Sequence, residues 1–117
     1  MAEHNKTGRT GEEIAARYLA QKGYVMLARN FRYRRAEVDL ITRINDLLVF
    51  VEVKTRSKVN YGYPEEFVSW RKIQLFQLAA EEYIHQINWQ HDIRFDIIAV
   101  TIAGGEYTCH HIEDAFH

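Results

Sequence analysis

Two short segments hold residues able to do hydrolytic chemistry together: Glu37 and Asp39 in A-E-V-D-L-I, and Glu52 and Lys54 in V-F-V-E-V-K. Apolar, β-branched-rich runs surround both, and Asn45-Asp46 lies between them, which predicts a β-hairpin turning at that dipeptide. With those two residues as the loop, Ile44 faces Leu47, Leu40 faces Val51, Val38 faces Val53, and Asp39 falls opposite Glu52. One face then carries Val38, Leu40, Thr42, Val49, Val51 and Val53. The other runs from Ile41 against Phe50, through Asp39 against Glu52, to Glu37 against Lys54. A slip of one residue would bury Asp39 unpaired among the valines, so the pattern fixes the register.

Carboxylates directly opposite each other, with Cβ atoms roughly 4.5 to 5.5 Å apart, repel unless a cation lies between them. Hard oxygen ligands suit Mg²⁺ or Mn²⁺, which leave other positions to waters and phosphate oxygens. Lys54, on the same face, is placed to orient or deprotonate an attacking water, or to steady a phosphate. The same side chains equally suit a self-neutralised sheet surface in which Lys54 answers Glu37 and Glu52.

These four residues need a scaffold, and the chain is long enough for one. Its 117 residues, 47% apolar and 26% charged, predict a single globular domain. The lone cysteine, Cys109, excludes an intramolecular disulfide and fits a reducing cytoplasm. No apolar run approaches the roughly 20 residues of a membrane span, and the polar start does not read as a signal peptide. Formal net charge is −1, yet ten of the fifteen Lys and Arg residues fall between Arg29 and Lys72, against six of the sixteen acids. Three of those six are Glu37, Asp39 and Glu52. A basic zone around an acidic pocket suits a phosphodiester substrate; a solvated face of mixed charge has the same composition.

Residues 1–9 read as a flexible polar arm carrying Lys6 and Arg9. Thr10 with Glu13 reads as a capping box for a helix ending near Lys22, stopped by Gly23. Ala15, Ala16 and Leu19 share a stripe with Glu12, which places that carboxylate inward. A strand over Tyr24–Asn30 leads into an arginine-rich turn over Phe31–Arg35, where Arg32, Arg34 and Arg35 with Tyr33 suit phosphate and unpaired bases. After the hairpin, Thr55–Pro64 reads as a loop at the site mouth, carrying Arg56 and Lys58. Glu65–Val68 is expected to form a short turn. Ser69 caps a helix to about Ile87, with Lys72 heading its apolar stripe and turned to the sheet or to phosphate. Strands follow over Ile93–Ile102, with Arg94 and Asp96 as strand-end charges, and over Tyr107–Ile112, joined at Gly104-Gly105. Alternation turns His110 away from Cys109 and His111, which argues against zinc. The order αβββαββ predicts an α/β fold, a central mixed sheet flanked by helices on both faces.

In this order, G-R-T-G-E-E-I-A-A-R-Y-L at residues 8–19, A-E-V-D-L-I at 36–41 and V-F-V-E-V-K-T-R at 49–56 resemble the YraN-like family of small bacterial proteins. Asp39 with Glu52-Val53-Lys54 resembles the D…(D/E)-x-K signature of the restriction-endonuclease-like superfamily, and the likeness extends to archaeal Holliday-junction resolvases. It spans Gly8 to about Val100. The family glycine before E-(I/V)-D is Ala36 here. The resemblance implies a restriction-endonuclease-like core and a metal-dependent endonuclease acting on branched or structured DNA as a homodimer. Asp39 and Glu52 would bind Mg²⁺ or Mn²⁺, Glu12 would assist, and Lys54 would position water. Arg32, Arg34, Arg35, Arg56, Lys58 and Lys72 are the expected DNA contacts. A nucleic-acid-binding module without turnover is the alternative, and a protein-interaction domain a third reading.

Overall fold

The computed structural model describes residues 2–57 and 69–116. Its order is α1 (Ala2–Gln21), β1 (Val25–Tyr33), β2 (Ala36–Ile44), β3 (Leu47–Ser57), α2 (Trp70–Ile87), β4 (Asp92–Ala103) and β5 (Glu106–Ile112). The strands form one five-stranded mixed sheet in chain order. Only β3 and β4 are parallel, as a connection through a helix allows. No helix among the described residues is long and apolar enough to cross a membrane.

Local chemistry sets most boundaries. Gly23, at φ 96°, ends α1: its N–H donates to the Ala20 carbonyl and that of Tyr24 to the Leu19 carbonyl, both at 3.0 Å. Asn88 does the same for α2 at φ 55°, with Trp89 donating to Ile84 and Asn88 to His85. Ser69 caps the start of α2 by accepting the Lys72 N–H at 3.1 Å. Asn45, at φ 53°, turns β2 into β3, and Gly104 and Gly105 turn β4 into β5.

Strand residues alternate between two apolar clusters. Leu40, Val49, Val51, Val53, Ile98 and Val100 pack with Ile14, Ala15, Ala16 and Leu19 of α1. Ala36, Val38, Ile41, Leu48, Phe50 and Ile97 pack with Phe76, Ala79 and Ala80 of α2 and with Phe116. Where α1 crosses β3 the fit is close: a Cβ added at Gly11 would overlap the Thr55 side chain. The glycine before Glu12 therefore sets how near that helix comes to the site.

Several boundaries differ from the sequence expectation. Helix α1 starts at Ala2, so the expected arm over residues 1–9 is helical from Ala2 and Thr10 lies inside the helix without capping it. Extending a formed helix costs less than nucleating one, even across Asn5, Thr7 and Gly8. Strand β1 runs to Tyr33, which shortens the arginine-rich turn to Arg34-Arg35; Arg34 adopts φ 58°. Strand β3 continues to Ser57, held by β4 through Ser57 opposite Ile102, so Thr55 and Arg56 belong to the sheet. The rest of the expected loop, Lys58 included, and the turn over Glu65–Val68 lie outside the described residues. Ala36 is buried without a positive φ, so its Cβ is accommodated at the position where the resemblance led to the expectation of glycine.

The hairpin register follows the expectation from Ile44–Leu47 to Leu40–Val51, and there the ladder ends. Val38 does not face Val53: it joins the α2 cluster while Leu40 joins that of α1, so the alternation changes phase at Asp39. Strand β2 goes on paired with β1 to Ala36, and β3 goes on paired with β4 to Ser57. The two ribbons part beyond Leu40 and Val51, so the expected facing pairs Asp39–Glu52 and Glu37–Lys54 are not formed in the ladder, and Asp39 and Glu52 stand at the point of parting.

Candidate functional site

Asp39 lies where β2 has left the ladder. Its Oδ2 accepts the main-chain N–H of Val53 at 2.8 Å, which ties the carboxylate to β3. Burial, then the charge of Glu52, then those of Glu12 and Glu37, raise its pKa to about 8; the Val53 hydrogen bond only partly opposes them. Four carboxylates thus share one region, where each feels the charge of others.

Glu12 reaches this region from α1. Burial raises its pKa, aided by the charges of Glu37 and Glu52, against a hydrogen bond from Asn30. Asn30 lies in the left-handed region at φ 52°; with its amide oriented so that nitrogen faces the two carboxylates, it donates to both Glu37 Oε2 and Glu12 Oε1 at 3.2 Å. It thereby bridges helix and sheet. Beyond asparagine's tolerance of that backbone region, nothing in the sequence singled it out.

Glu52 lies between Val51 and Val53, its side chain only 5% exposed, and both its cationic partners contact one oxygen. Lys72 Nζ, from the first turn of α2, is 2.7 Å from Glu52 Oε2, and Lys54 Nζ is 3.6 Å away. Burial lowers the Lys54 pKa, and the adjacent Lys72 adds to that effect against the attraction of Glu52. Burial also acts to lower the Lys72 pKa, but its ties to Glu52 outweigh this and the net shift is upward. The two neighbouring lysines are thus pushed in opposite directions, Lys72 holding its proton more tightly and Lys54 less.

The arrangement brings together Glu12, Glu37, Asp39, Glu52, Lys54 and Lys72. The arginines lie on the outer part of the β1–β2 ribbon: Arg32 Nε is 3.8 Å from Glu37 Oε2, and the Arg34 guanidinium is 5.1 Å from the Tyr33 ring centroid. Arg35 is exposed at the same turn. Arg56, two residues beyond Lys54, is half-buried.

The donor chemistry fits a hard divalent cation: the carboxylates supply oxygen ligands only, and their mutual repulsion is what a shared cation would relieve. Among the described residues, however, no three His, Cys, Asp or Glu side chains are gathered closely enough to hold a metal as they stand. Glu52 is turned to Lys72 instead.

A second buried polar cluster carried no clear sequence signal. Asp96, expected as a strand-end charge, is fully buried. Arg94 holds it with two bonds, Nε to Oδ1 at 2.9 Å and Nη2 to Oδ2 at 2.8 Å. His111 Nε2 lies 2.7 Å from Oδ2, and the Asp114 N–H donates to Oδ1 at 3.1 Å. Arg94 Nη2 also donates to the Tyr24 hydroxyl at 2.7 Å. Burial acts to raise the Asp96 pKa, but the hydrogen bonds from His111, Arg94 and Asp114 together outweigh it and lower the value. The cluster ties β4 to β5 and to the end of α1, consistent with a structural role.

The fold and this cluster define a small α/β protein whose carboxylates and lysines meet where a mixed sheet divides. The chain belongs to the uncharacterised protein family UPF0102, whose model matches residues 11–100. It is similar to a UPF0102 protein of Flavobacterium psychrophilum, 44% identical over all of this chain and 98% of the relative. One from Flavobacterium johnsoniae is 43% identical with the same coverage. A more distant bacterium, Alkaliphilus oremlandii, has one 39% identical over 97% of this chain and 99% of its own.

Proposed function

We propose that this protein is a divalent-metal-dependent endonuclease with a restriction-endonuclease-like core, hydrolysing phosphodiester bonds in branched or structured DNA in the cytoplasm. The observation that carries the reading is the convergence of Asp39, Glu52 and Glu12 beside Lys54 where β2 and β3 part, with Asp39 pushed to about 8 by burial and by its acidic neighbours. The likeness of these segments to junction resolvases supports DNA as the substrate and a homodimer that presents two sites to two strands.

Asp39, Glu52 and Glu12 are the residues that would hold Mg²⁺ or Mn²⁺, and the metal would supply Lewis-acid stabilisation of charge developing on phosphate. The protein's own part is positional. Val53 fixes the Asp39 carboxylate, and Asn30 fixes Glu12. Lys54 orients the attacking water and accepts its proton at Nζ, a role that its lowered pKa favours. Arg32, Arg34 and Arg35 draw the backbone along the ribbon, and Arg56 lies on the β3 side.

A binding module without turnover is favoured by a different observation: Glu52 is already neutralised by two lysines. Incubation with single-stranded, duplex, flap and four-way DNA, each with Mg²⁺, Mn²⁺ or EDTA, separates the two. Metal-dependent cutting lost in EDTA supports the enzyme. Binding without cutting of any substrate supports the module.

A further inference from the structure

Lys72 was expected among the phosphate contacts, but its ammonium is already engaged. At 2.7 Å it is the closer of the two cations on Glu52, and it occupies the oxygen that Lys54 also approaches. Between the two partners the anchoring is unequal. Glu52 is held in a strand paired to β4 on both sides of it, between two buried valines. Lys72 hangs from the first turn of α2 with its side chain 45% exposed, on a flexible four-carbon stem.

The helix does not need that ammonium. Its first turn is capped by Ser69, which accepts the main-chain N–H of Lys72, so the backbone there stays fixed whether or not the side chain remains on Glu52. Asp39 and Glu12 also feel the charge of Glu52, so the three carboxylates are near enough to share one cation, which an ammonium on a single oxygen of Glu52 does not provide. A dication shared among these carboxylates neutralises more of their charge than a lysine resting on a single oxygen. Both cannot use that oxygen fully at once.

We propose that Lys72 is a tethered counter-ion of Glu52 that a divalent cation displaces, so that metal entry and release of the ammonium towards the arriving phosphate are one exchange. The inference rests on the reading of Glu52 as a metal ligand. It assigns Lys72 a positioning role: the residue keeps Glu52 neutralised in the metal-free protein, weakens metal binding, and frees a cation for phosphate only when metal is in place.

The test is Mn²⁺ binding by calorimetry on the full chain without nucleic acid. Lys72→Gln is expected to bind Mn²⁺ about ten-fold more tightly than the parent, the equivalent of losing one charge-assisted hydrogen bond that metal must break. Lys72→Arg should bind no more tightly than the parent. Arg71→Gln, which removes a charge from the same helical turn, should match the parent. Equal or weaker binding by Lys72→Gln, or an equal gain in Arg71→Gln, overturns the exchange and leaves the nuclease reading standing. No Mn²⁺ binding by either the parent or Lys72→Gln overturns both. A measurement on the unaltered protein stands even where a variant fails to fold: in NMR of lysine ammonium groups, Mg²⁺ should move the Lys72 signal and leave that of Lys22 in place. A Lys72 signal unmoved at saturating Mg²⁺ overturns the exchange.

Discussion

Asp39 Oδ2 accepts the main-chain N–H of Val53, so a side chain completes on β3 the ladder that the backbone of β2 has left. The bond gives one residue two duties, closing the sheet's edge and presenting a carboxylate at the parting.

Substitutions at Asp39 should separate those duties. Asparagine keeps an acceptor for Val53, whereas alanine leaves a half-buried N–H without one, at a cost of about 1–3 kcal/mol. Thermal melts should therefore place Asp39→Ala well below Asp39→Asn. The sign with pH follows from the raised pKa. Because the folded value, about 8, lies above the ordinary aspartate value of 3.8, stability from this group is fully present below 3.8 and is lost as pH rises through 8. In EDTA, denaturant melts of the parent should show that decline between these limits, and Asp39→Asn should lack it. An identical pH profile for the two would refute the assignment.

Gly11→Ala should destabilise the fold by about 1–3 kcal/mol, because the added methyl overlaps the Thr55 side chain. Thr55→Ala should restore part of the loss, visible as coupling in a double-mutant cycle measured by chemical denaturation. Purely additive effects would mean that α1 shifts aside at no cost.

What could be read ahead of the structure was local or periodic. Gly23, Asn45-Asp46 and Ser69 mark ends and turns through their own backbone or capping chemistry, and each lies where expected. Alternation from Leu40 to Ile44 and from Leu47 to Val51 fixed the register there. Alternation cannot announce its own interruption, so the change of phase at Asp39, and with it the side of Val38, was not legible. Partners distant in the chain were equally hidden. Nothing near Asp96 signals His111, and nothing near Glu52 says that Lys72, rather than Lys54, makes the shorter ion pair with it.

Replacing Arg32, Arg34 and Arg35 with alanine should weaken DNA binding and flatten its dependence on salt. Their existing contacts are loose, with Arg32 3.8 Å from Glu37 and Arg34 resting over Tyr33, so the guanidinium groups remain available to phosphate. Each lost phosphate contact should reduce the slope of log affinity against log salt by nearly one. Fluorescence anisotropy across a salt series measures it, and an unchanged slope places the binding surface elsewhere.

Asp96 should govern the acid limb of stability. Its folded pKa lies below the ordinary aspartate value of 3.8, so its contribution is present above that value and is lost as pH falls through the folded one. Asp96→Asn, which takes from the half-buried Arg94 its closest charged partner and leaves it only Glu113 at 3.5 Å, should cost about 3 kcal/mol at neutral pH. It should also flatten the fall in stability below pH 4. Denaturation midpoints from pH 2 to 7 test both, and an acid limb unchanged in the variant would assign it to another carboxylate.

The catalytic set can be tested by the signs of its effects. Asp39→Asn, Glu52→Gln and Lys54→Ala should each abolish cutting while preserving the far-UV circular dichroism spectrum, because none of the three belongs to either apolar cluster. Binding should separate them. Without metal, removing a carboxylate lessens repulsion of phosphate, so the Asn and Gln variants should bind DNA at least as tightly as the parent. Glu52→Gln should gain more than Asp39→Asn, because it also frees the ammonium groups of Lys54 and Lys72. Lys54→Ala should bind more weakly. A module without turnover would share this affinity pattern but show no metal-dependent cleavage by the parent. If both carboxylate variants instead unfold, the pair is structural, and the proposed chemistry loses the residues that carry it.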